Sequence, residues 1–259
     1  MVSKVLSVQQ NDLYHLQEAV LNRLQSMADK QFDLAKLCGG TALSRCWLNH
    51  RVSYDLDFFL PAGFEVTELA IAIKQAGIEF ETREMVVDDR TANQLHGDVL
   101  HDRHRLKVSF IEDAYFELFP TVSKPFGSLT VQTEEIQGLY HRKLRTVAGN
   151  GQDNTPDSFA GGRQKARDLF DLYVLSATYM PLIPFMQSLP YAFPIGSFIN
   201  GLVNMPWFDL IDECEELICA PHWQQAKDVE FLQKSLFEQV GAKTVADDSN
   251  ADLTDEAPS

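Results

Sequence analysis

The spacing of apolar side chains predicts a helix, a strand and a second helix at the start of the chain. Over residues 11–28 they recur at intervals of three and four positions, which is typical of an amphipathic helix. Residues 32–38 form a short apolar run that predicts a strand. Gly39 and Gly40 interrupt this run, and residues 41–48 predict a helix that begins directly after them. The pattern is therefore a strand, a glycine turn and a helix.

Alternating apolar and polar positions predict strands in the next segment. Residues 54–60 place Leu56 and Phe58 on one side of such a strand. Asp55 and Asp57 fall on the other side, so both carboxylates share one face. Further strands are predicted at residues 78–87, 94–100 and 105–111, with a helix at 67–76. Together these segments predict a mixed sheet.

A helical pattern replaces the strands near residue 130. Helices are predicted at residues 133–147, 163–179, 207–219 and 224–240, with a mobile loop over 149–162. Because the sheet comes first and the helices follow, the chain is predicted to be an α+β protein. The predicted domains are a mixed-sheet core with flanking helices at 1–130, a helical bundle at 131–242 and a disordered acidic tail at 243–259.

Composition narrows the function classes. The formal net charge of -15 gives the chain no general attraction to phosphate backbones, which argues against a simple DNA-binding module. An RNA contact would need a local basic patch, and the densest candidates are His141, Arg142, Lys143, Arg145, Arg163, Lys165 and Arg167. The four cysteines have no paired spacing, so neither a disulfide framework nor a zinc ribbon is expected.

One segment is apolar enough to need a membrane test. Residues 176–208 contain no charged side chain and are long enough to span a bilayer. Five prolines interrupt them, which would repeatedly break a helix exposed to lipid. The N-terminus also lacks a charged and then apolar leader. We therefore expect no membrane association and a cytoplasmic location.

The glycine turn and the aspartate pair together indicate a chemistry. Gly39 and Gly40 let a ligand approach the backbone, and the amides at the start of the next helix attract phosphate. Asp55 and Asp57 project from one face at a spacing that suits Mg²⁺, with Mn²⁺ as the alternative. Mg²⁺ prefers a few carboxylates together with substrate phosphates. The combination predicts phosphoryl or nucleotidyl transfer, although an Asp-x-Asp pair alone is more often a solvated strand face.

Four stretches of the sequence resemble a known family. They are GGTAL at 39–43, HRVSYDLDFF at 50–59, RKL at 142–144 and RDLFDLY at 167–173. These stretches resemble the AbiEii/AbiGii nucleotidyltransferases, which are toxins of type IV toxin-antitoxin systems within the polymerase-β superfamily. The resemblance covers roughly residues 32–175 and implies a nucleotidyltransferase fold for the N-terminal core.

The resemblance implies a role for individual residues. It makes Asp55 and Asp57 the Mg²⁺ ligands and Lys143 a cation that binds the triphosphate. The phosphate-binding turn would comprise Gly39, Gly40 and Thr41, and the late acidic motif of the catalytic set would comprise Asp168 and Asp171.

The residues themselves leave alternatives open for several of these roles. Arg51 and Ser53 are positioned to bind phosphate, or Arg51 braces the turn through Asp55. Asp168 and Asp171 share one face of a helix. They either meet the site or form ion pairs with Arg167, Lys165 or Lys143, and the basic run around Lys143 is by itself typical of a solvated helix face.

The sequence departs from the superfamily at one position. Such enzymes commonly supply a third carboxylate from a neighbouring strand, and Ser109 occupies the expected place, with Lys107 beside it. Glu112 or Asp113 would substitute only if the strand register slipped by one residue. Otherwise catalysis would depend on the aspartate pair together with the late acidic motif, or activity would be weak or absent.

The expected function is therefore Mg²⁺-dependent transfer of a nucleotide from a nucleoside triphosphate to an acceptor hydroxyl. The resemblance implies that the acceptor is RNA, notably tRNA, and that a cognate antitoxin neutralises the enzyme. One alternative is a nucleotide-binding protein of the same fold that has lost turnover. Another is transfer to a small molecule or to a protein hydroxyl.

Overall fold

The structure is a computed structural model that describes residues 2–87, 92–149 and 165–241, with side chains from Gln10 onward. The chain divides into two compact units, the first ending at Leu139 and the second beginning at Tyr140. The tail predicted at 243–259 and nearly all of the loop predicted at 149–162 lie outside the described residues.

A mixed sheet forms the centre of the first unit. Its strands are β1 (Lys36–Cys38), β2 (Leu56–Leu60), β3 (Phe80–Val86), β4 (Gln94–His101), β5 (His104–Glu112), β6 (Thr121–Phe126) and β7 (Leu129–Glu134). Among the described residues, these seven strands lie in the order β3-β4-β5-β2-β1-β7-β6. Strand β2 runs antiparallel to β1 and parallel to β5, and β1 runs parallel to β7. The prediction that the chain contains both helices and a mixed sheet is confirmed.

The helices of the first unit pack against this sheet. They are α1 (Val2–Gln25), α2 (Gly39–Ala42), which continues as a π-helix over Leu43–Leu48, and α3 (Val66–Gln75). Helix α1 contacts β4 and β5, whereas α3 contacts β3 and β4. Leu69 and Ile73 of α3 are fully buried, because they lie four positions apart on its apolar face.

An aromatic cluster lies on the buried face of the central strands. Phe58 of β2 and Phe110 of β5 are cross-strand partners whose rings stack with centroids 5.6 Å apart. Phe32 packs edge-on against Phe58 at 5.2 Å. Burial alternates along β2, so Leu56, Phe58 and Leu60 face the core while Asp57 and Phe59 face the opposite side. This alternation fixes which residues the sheet presents on its polar face.

The first unit extends further along the chain than the sequence predicted. The sequence pattern predicted that the sheet domain ends at residue 130, and it predicted neither β6 nor β7. In the structure, Leu37 of β1 pairs with Thr133 of β7, so residues 129–134 belong to the sheet. The helix predicted from residue 133 therefore begins only at Ile136. The strand predicted at 32–38 is also shorter, because Phe32–Leu34 forms a 3-10 helix before β1.

Helical elements make up the regular structure of the second unit. They are the remainder of α4 (Ile136–Ala148), then α5 (Ala166–Thr178), α6 (Leu182–Ser188), α7 (Ile195–Val203), α8 (Ile211–Glu215) and α9 (Val229–Val240), with 3-10 helices at Trp207–Leu210 and Pro221–Lys227. Within the described ranges, no single helix is long and apolar enough to cross a membrane. Helices α5 and α6 reach that threshold only as a pair, with a bend of 83° between them.

The aromatic cluster predicts how the first unit responds to a core truncation. Phe110→Ala is expected to lower the free energy of unfolding by about 3–5 kcal/mol, because it removes a fully buried ring and leaves a cavity. Urea denaturation measures this change. Leu34→Ala is the control, since Leu34 is 56% exposed and its loss should change stability by less than about 0.5 kcal/mol. Equal losses in both variants would contradict the assignment of the core.

Candidate active site

The first glycine of the turn lies directly against an aspartate. Strand β1 ends at Cys38, and α2 begins at Gly39, whose φ of +69° is a conformation that glycine adopts without strain. A Cβ atom on Gly39 would lie 2.9 Å from Oδ2 of Asp57. The turn backbone and the Asp57 carboxylate are therefore immediate neighbours.

The second glycine packs against two polar side chains. A Cβ atom on Gly40 would overlap Nη2 of Arg51 and lie 2.9 Å from Oγ of Ser53. Arg51 and Ser53 are both buried, and Arg51 donates a hydrogen bond to the carbonyl of Val52 at 3.0 Å. Gln17 of α1 donates to the carbonyl of Ser53 at 2.8 Å. These bonds hold the arginine and the serine beside the turn.

The aspartate pair lies at the start of β2. The hydroxyl of Thr41 donates a hydrogen bond to the backbone carbonyl of Asp55, which joins α2 to the segment that carries the carboxylates. Nζ of Lys107 lies 3.9 Å from Oδ2 of Asp55, whose side chain is 20% exposed. The structure thus brings together seven residues singled out by sequence: Gly39, Gly40, Thr41, Arg51, Ser53, Asp55 and Asp57.

The donor chemistry of this cluster fits Mg²⁺. Carboxylate oxygens are the protein ligands that Mg²⁺ prefers, and the ion commonly completes its shell with water and substrate phosphates. Across the described part of the chain, no group of three or more His, Cys, Asp and Glu side chains is arranged to hold a metal ion. Asp55 and Asp57 are the carboxylates of this cluster that could hold such an ion.

The register of β5 decides between the alternatives for the third carboxylate. Ser109 is the cross-strand partner of Asp57, as the sequence alternation predicted. Glu112 instead pairs with Leu60 and accepts hydrogen bonds from the amides of Gly63 at 3.1 Å and Asn93 at 3.0 Å. The suggested one-residue slip does not occur, because it would move Phe110 out of the core.

Asp113 is likewise engaged at the end of β5. It is largely buried, and its Oδ1 accepts a hydrogen bond from the amide of Tyr115 at 3.0 Å. Its own amide donates to the carbonyl of Leu60 at 3.0 Å. Asp113 therefore shapes the turn after β5.

A histidine that the sequence analysis missed lies on the same polar face. Strand β4 pairs with β5 so that His96 is the partner of Ser109. Burial lowers the pKa of the His96 imidazole below its ordinary value, and the charges of Glu84, Lys107 and Asp57 also act on it. In the sequence, only the alternation of β4 could have pointed to His96, because it puts His96 on the face of the strand opposite to the buried Leu95. The neighbouring strand could not be identified without the pairing.

The remaining predicted residues form a buried cluster within the second unit. Nζ of Lys143 on α4 lies 2.6 Å from Oδ1 of Asp168 and 2.7 Å from Oδ2 of Asp171, both on α5. All three side chains are almost fully buried. The sequence left Arg167, Lys165 and Lys143 open as ion-pair partners of these two aspartates. In the structure, Lys143 pairs with both of them. Lys165 instead pairs with Glu213 at 2.6 Å.

Lys143 is therefore buried and does not lie on a solvated helix face, which was the alternative that the basic run suggested. A buried ammonium between two carboxylates is strongly held, because each charge loses its water and depends on the others. The catalytic roles of Lys143, Asp168 and Asp171 stay predictions.

Comparison with known proteins gives a family and two similar structures. Residues 24–189 match the family model described as nucleotidyl transferase AbiEii toxin, type IV TA system. The crystal structure of JHP933 from Helicobacter pylori is similar, with 18% identity over 94% of this chain and 96% of that chain and a TM-score of 0.47. A nucleotidyltransferase candidate from H. pylori has 18% identity over 90% of this chain and 93% of its own, with a TM-score of 0.49. No curated protein matches the chain.

Substitution of Gly39 tests the close approach of the turn to Asp57. Gly39→Ala is expected to destabilise the fold by about 1–2 kcal/mol through its positive φ, and by a further 1–3 kcal/mol, roughly, through overlap with the carboxylate. Gly77→Ala is the matched control, because Gly77 has a φ of +67° and nothing within 4 Å of its Cβ position. Urea denaturation that gives the same loss for both variants would disprove the contact.

The buried ion cluster makes a second prediction. Lys143→Met is expected to destabilise the protein by about 3–5 kcal/mol, since it leaves buried carboxylates without their shared ammonium. Lys234→Met is the control: Lys234 is 71% exposed, and its pair with Glu238 should contribute less than about 0.5 kcal/mol. Thermal unfolding compares the two variants, and a loss for Lys143→Met no larger than the control's would refute the cluster.

Proposed function

Because this chain belongs to the AbiEii family of nucleotidyltransferase toxins from type IV toxin-antitoxin systems, we propose that Asp55 and Asp57 bind its catalytic metal ion. The carrying observation is the contact between Gly39 and the Asp57 carboxylate, which puts a helix N-terminus and an oxygen ligand within one small volume. The hydrogen bond from Thr41 to the Asp55 carbonyl supports the same assignment.

Each part of the turn has a distinct task in this proposal. The amides of residues 39–41 bind triphosphate oxygens, because amides at a helix start carry partial positive charge and point outward. Arg51 adds positive charge beside Gly40, and Ser53 supports the same wall. The Arg51 side chain donates a hydrogen bond to the Val52 carbonyl, and the backbone carbonyl of Ser53 accepts one from Gln17 of α1, so this wall is positioned before a substrate arrives.

The reaction is an in-line displacement at phosphorus. The acceptor hydroxyl oxygen attacks the α-phosphorus, the bond from that phosphorus to the bridging oxygen breaks, and pyrophosphate leaves with the bonding electron pair. The hydroxyl proton passes to a base. When bound by Asp55 and Asp57, Mg²⁺ supplies charge neutralisation for the phosphates. The protein residues contribute mainly position and preorganised charge.

We propose that RNA, with tRNA as the first candidate, supplies the acceptor hydroxyl. This choice follows the resemblance of the sequence motifs, and the matched family implies a nucleoside triphosphate substrate and a cognate antitoxin. The basic residues that were expected to contact RNA give this choice less support. Two of the basic residues expected to receive RNA, Lys143 and Lys165, are engaged in ion pairs with acidic side chains, and Arg163 lies outside the described residues.

A labelling experiment tests the proposal. The full-length chain is incubated with each labelled nucleoside triphosphate, Mg²⁺ and total RNA, and label in the RNA is measured. Asp57→Asn is expected to reduce the transfer rate by at least about 100-fold, since a metal ligand is lost. Asp102→Asn is the matched control with the same charge change, because Asp102 is 88% exposed and asparagine tolerates its φ of +46°.

The site of the label separates the alternatives. Label in RNA that disappears in Asp57→Asn supports RNA nucleotidyl transfer. Label in a protein or a small molecule assigns a different acceptor to the same site. Nucleotide binding without any transfer identifies a sensor that has lost turnover, and activity that survives Asp57→Asn removes the metal assignment.

A further inference from the structure

The third carboxylate position holds Ser109, which leaves the acceptor hydroxyl without an evident base beside the aspartate pair. We propose that His96 fills this role and accepts the hydroxyl proton across Ser109. This inference rests on the proposed function, since it concerns the same reaction at the same face of the sheet.

Register puts the relevant side chains in one row. Asp57 pairs with Ser109, and Ser109 pairs with His96, so the three residues lie side by side on β2, β5 and β4. Cross-strand partners project from the same face of a sheet. At about 4.8 Å between adjacent strands, the Asp57 and His96 backbones are roughly 10 Å apart. In the proposed complex the acceptor hydroxyl binds between the carboxylate and the imidazole.

The middle residue of the row is small. Ser109 carries only a hydroxymethyl side chain, and this side chain is buried. On the opposite face of the sheet, Val108 and Phe110 of β5 and Leu95 of β4 are buried completely. This packing locks both strands, because a slip of one residue would expose the apolar set. The row is therefore a fixed feature of the fold.

The ring of His96 is oriented by its own strand. Its Nε2 lies 2.8 Å from Oε1 of Gln94. The amide oxygen only accepts hydrogen bonds, so Nε2 carries the hydrogen and Nδ1 carries the lone pair. Because burial lowers its pKa, the imidazole is neutral near pH 7 despite the facing carboxylates of Glu84 and Asp57, and the ammonium of Lys107 opposes protonation. A neutral ring with a defined lone pair is able to accept a proton.

The neighbouring polar groups suit the role less well. Lys107 lies 3.9 Å from the Asp55 carboxylate, and the ammonium of this ion pair has no lone pair to offer. The Ser109 hydroxyl is a much weaker base than imidazole. In the proposed step, the acceptor O–H proton moves to Nδ1 of His96 while the oxygen forms its bond to the α-phosphorus. The bridging P–O bond breaks, and pyrophosphate takes its electron pair.

Single-turnover transfer by the full-length chain tests His96. His96→Gln is expected to lower the rate of the chemical step by about 100-fold or more, which is the usual contribution of a general base. Affinity for the transferred nucleoside triphosphate should stay within about threefold, because the row does not include the glycine turn. His101→Gln is the control, since His101 is on the same strand, faces the other side and should retain the wild-type rate.

A second variant protects the test against a trivial loss of fold. His96→Ala removes the ring, and added free imidazole should raise the rate of this variant at least about tenfold, whereas the rate of His101→Gln should stay unchanged. Circular dichroism and urea denaturation confirm that each variant is folded. Rescue together with retained nucleotide affinity supports the proposal.

The outcomes distinguish this inference from the proposed function. If the wild-type chain transfers no nucleotide to any acceptor, the proposed function fails. If the wild type transfers and His96→Gln keeps more than about one tenth of its rate, only the assignment of His96 fails. A loss of nucleotide affinity equal to the loss of rate also overturns it, because the histidine would then be a structural residue.

Discussion

Strand register is the constraint on which the candidate site depends. Phe58 and Phe110 stack beneath the sheet, and the same pairing puts Asp57 beside Ser109 on the other face. Since side chains alternate along a strand, the core cannot shift by one residue without exchanging its rings for carboxylates. The hydrophobic effect thereby sets the position of polar groups that take no part in the core. Chemistry on one face is fixed by packing on the other.

The glycine turn adds a second constraint, which is steric. The turn can lie against Asp57 and Arg51 only because residues 39 and 40 lack a Cβ atom. The Thr41 hydroxyl then ties the helix start to Asp55. Backbone amides and carboxylates, which carry opposite charge character, are thereby held together at short range. This arrangement is what a triphosphate with its metal ion requires.

Local patterns predicted which residues of the candidate site lie together, but they did not predict the full extent of the sheet. The turn and the aspartate pair could be found because close spacing and strand alternation bring them together. Strands β6 and β7 were missed, since β7 enters the sheet by parallel pairing with β1, and such pairing leaves no local pattern. His96 was missed for a related reason: its place beside Ser109 exists only once β4 and β5 have paired. Lys143 needed α5 to reveal its partners.

The parallel pairing of β1 with β7 also bears on synthesis of the chain at the ribosome. The glycine turn follows directly after β1, a strand of three residues. One of the two strands that pair with β1 is β7, which comes almost a hundred residues later in the chain. Contacts this far apart in sequence form late in folding. A nascent toxin would thus lack a finished catalytic centre until nearly the whole first unit had left the exit tunnel.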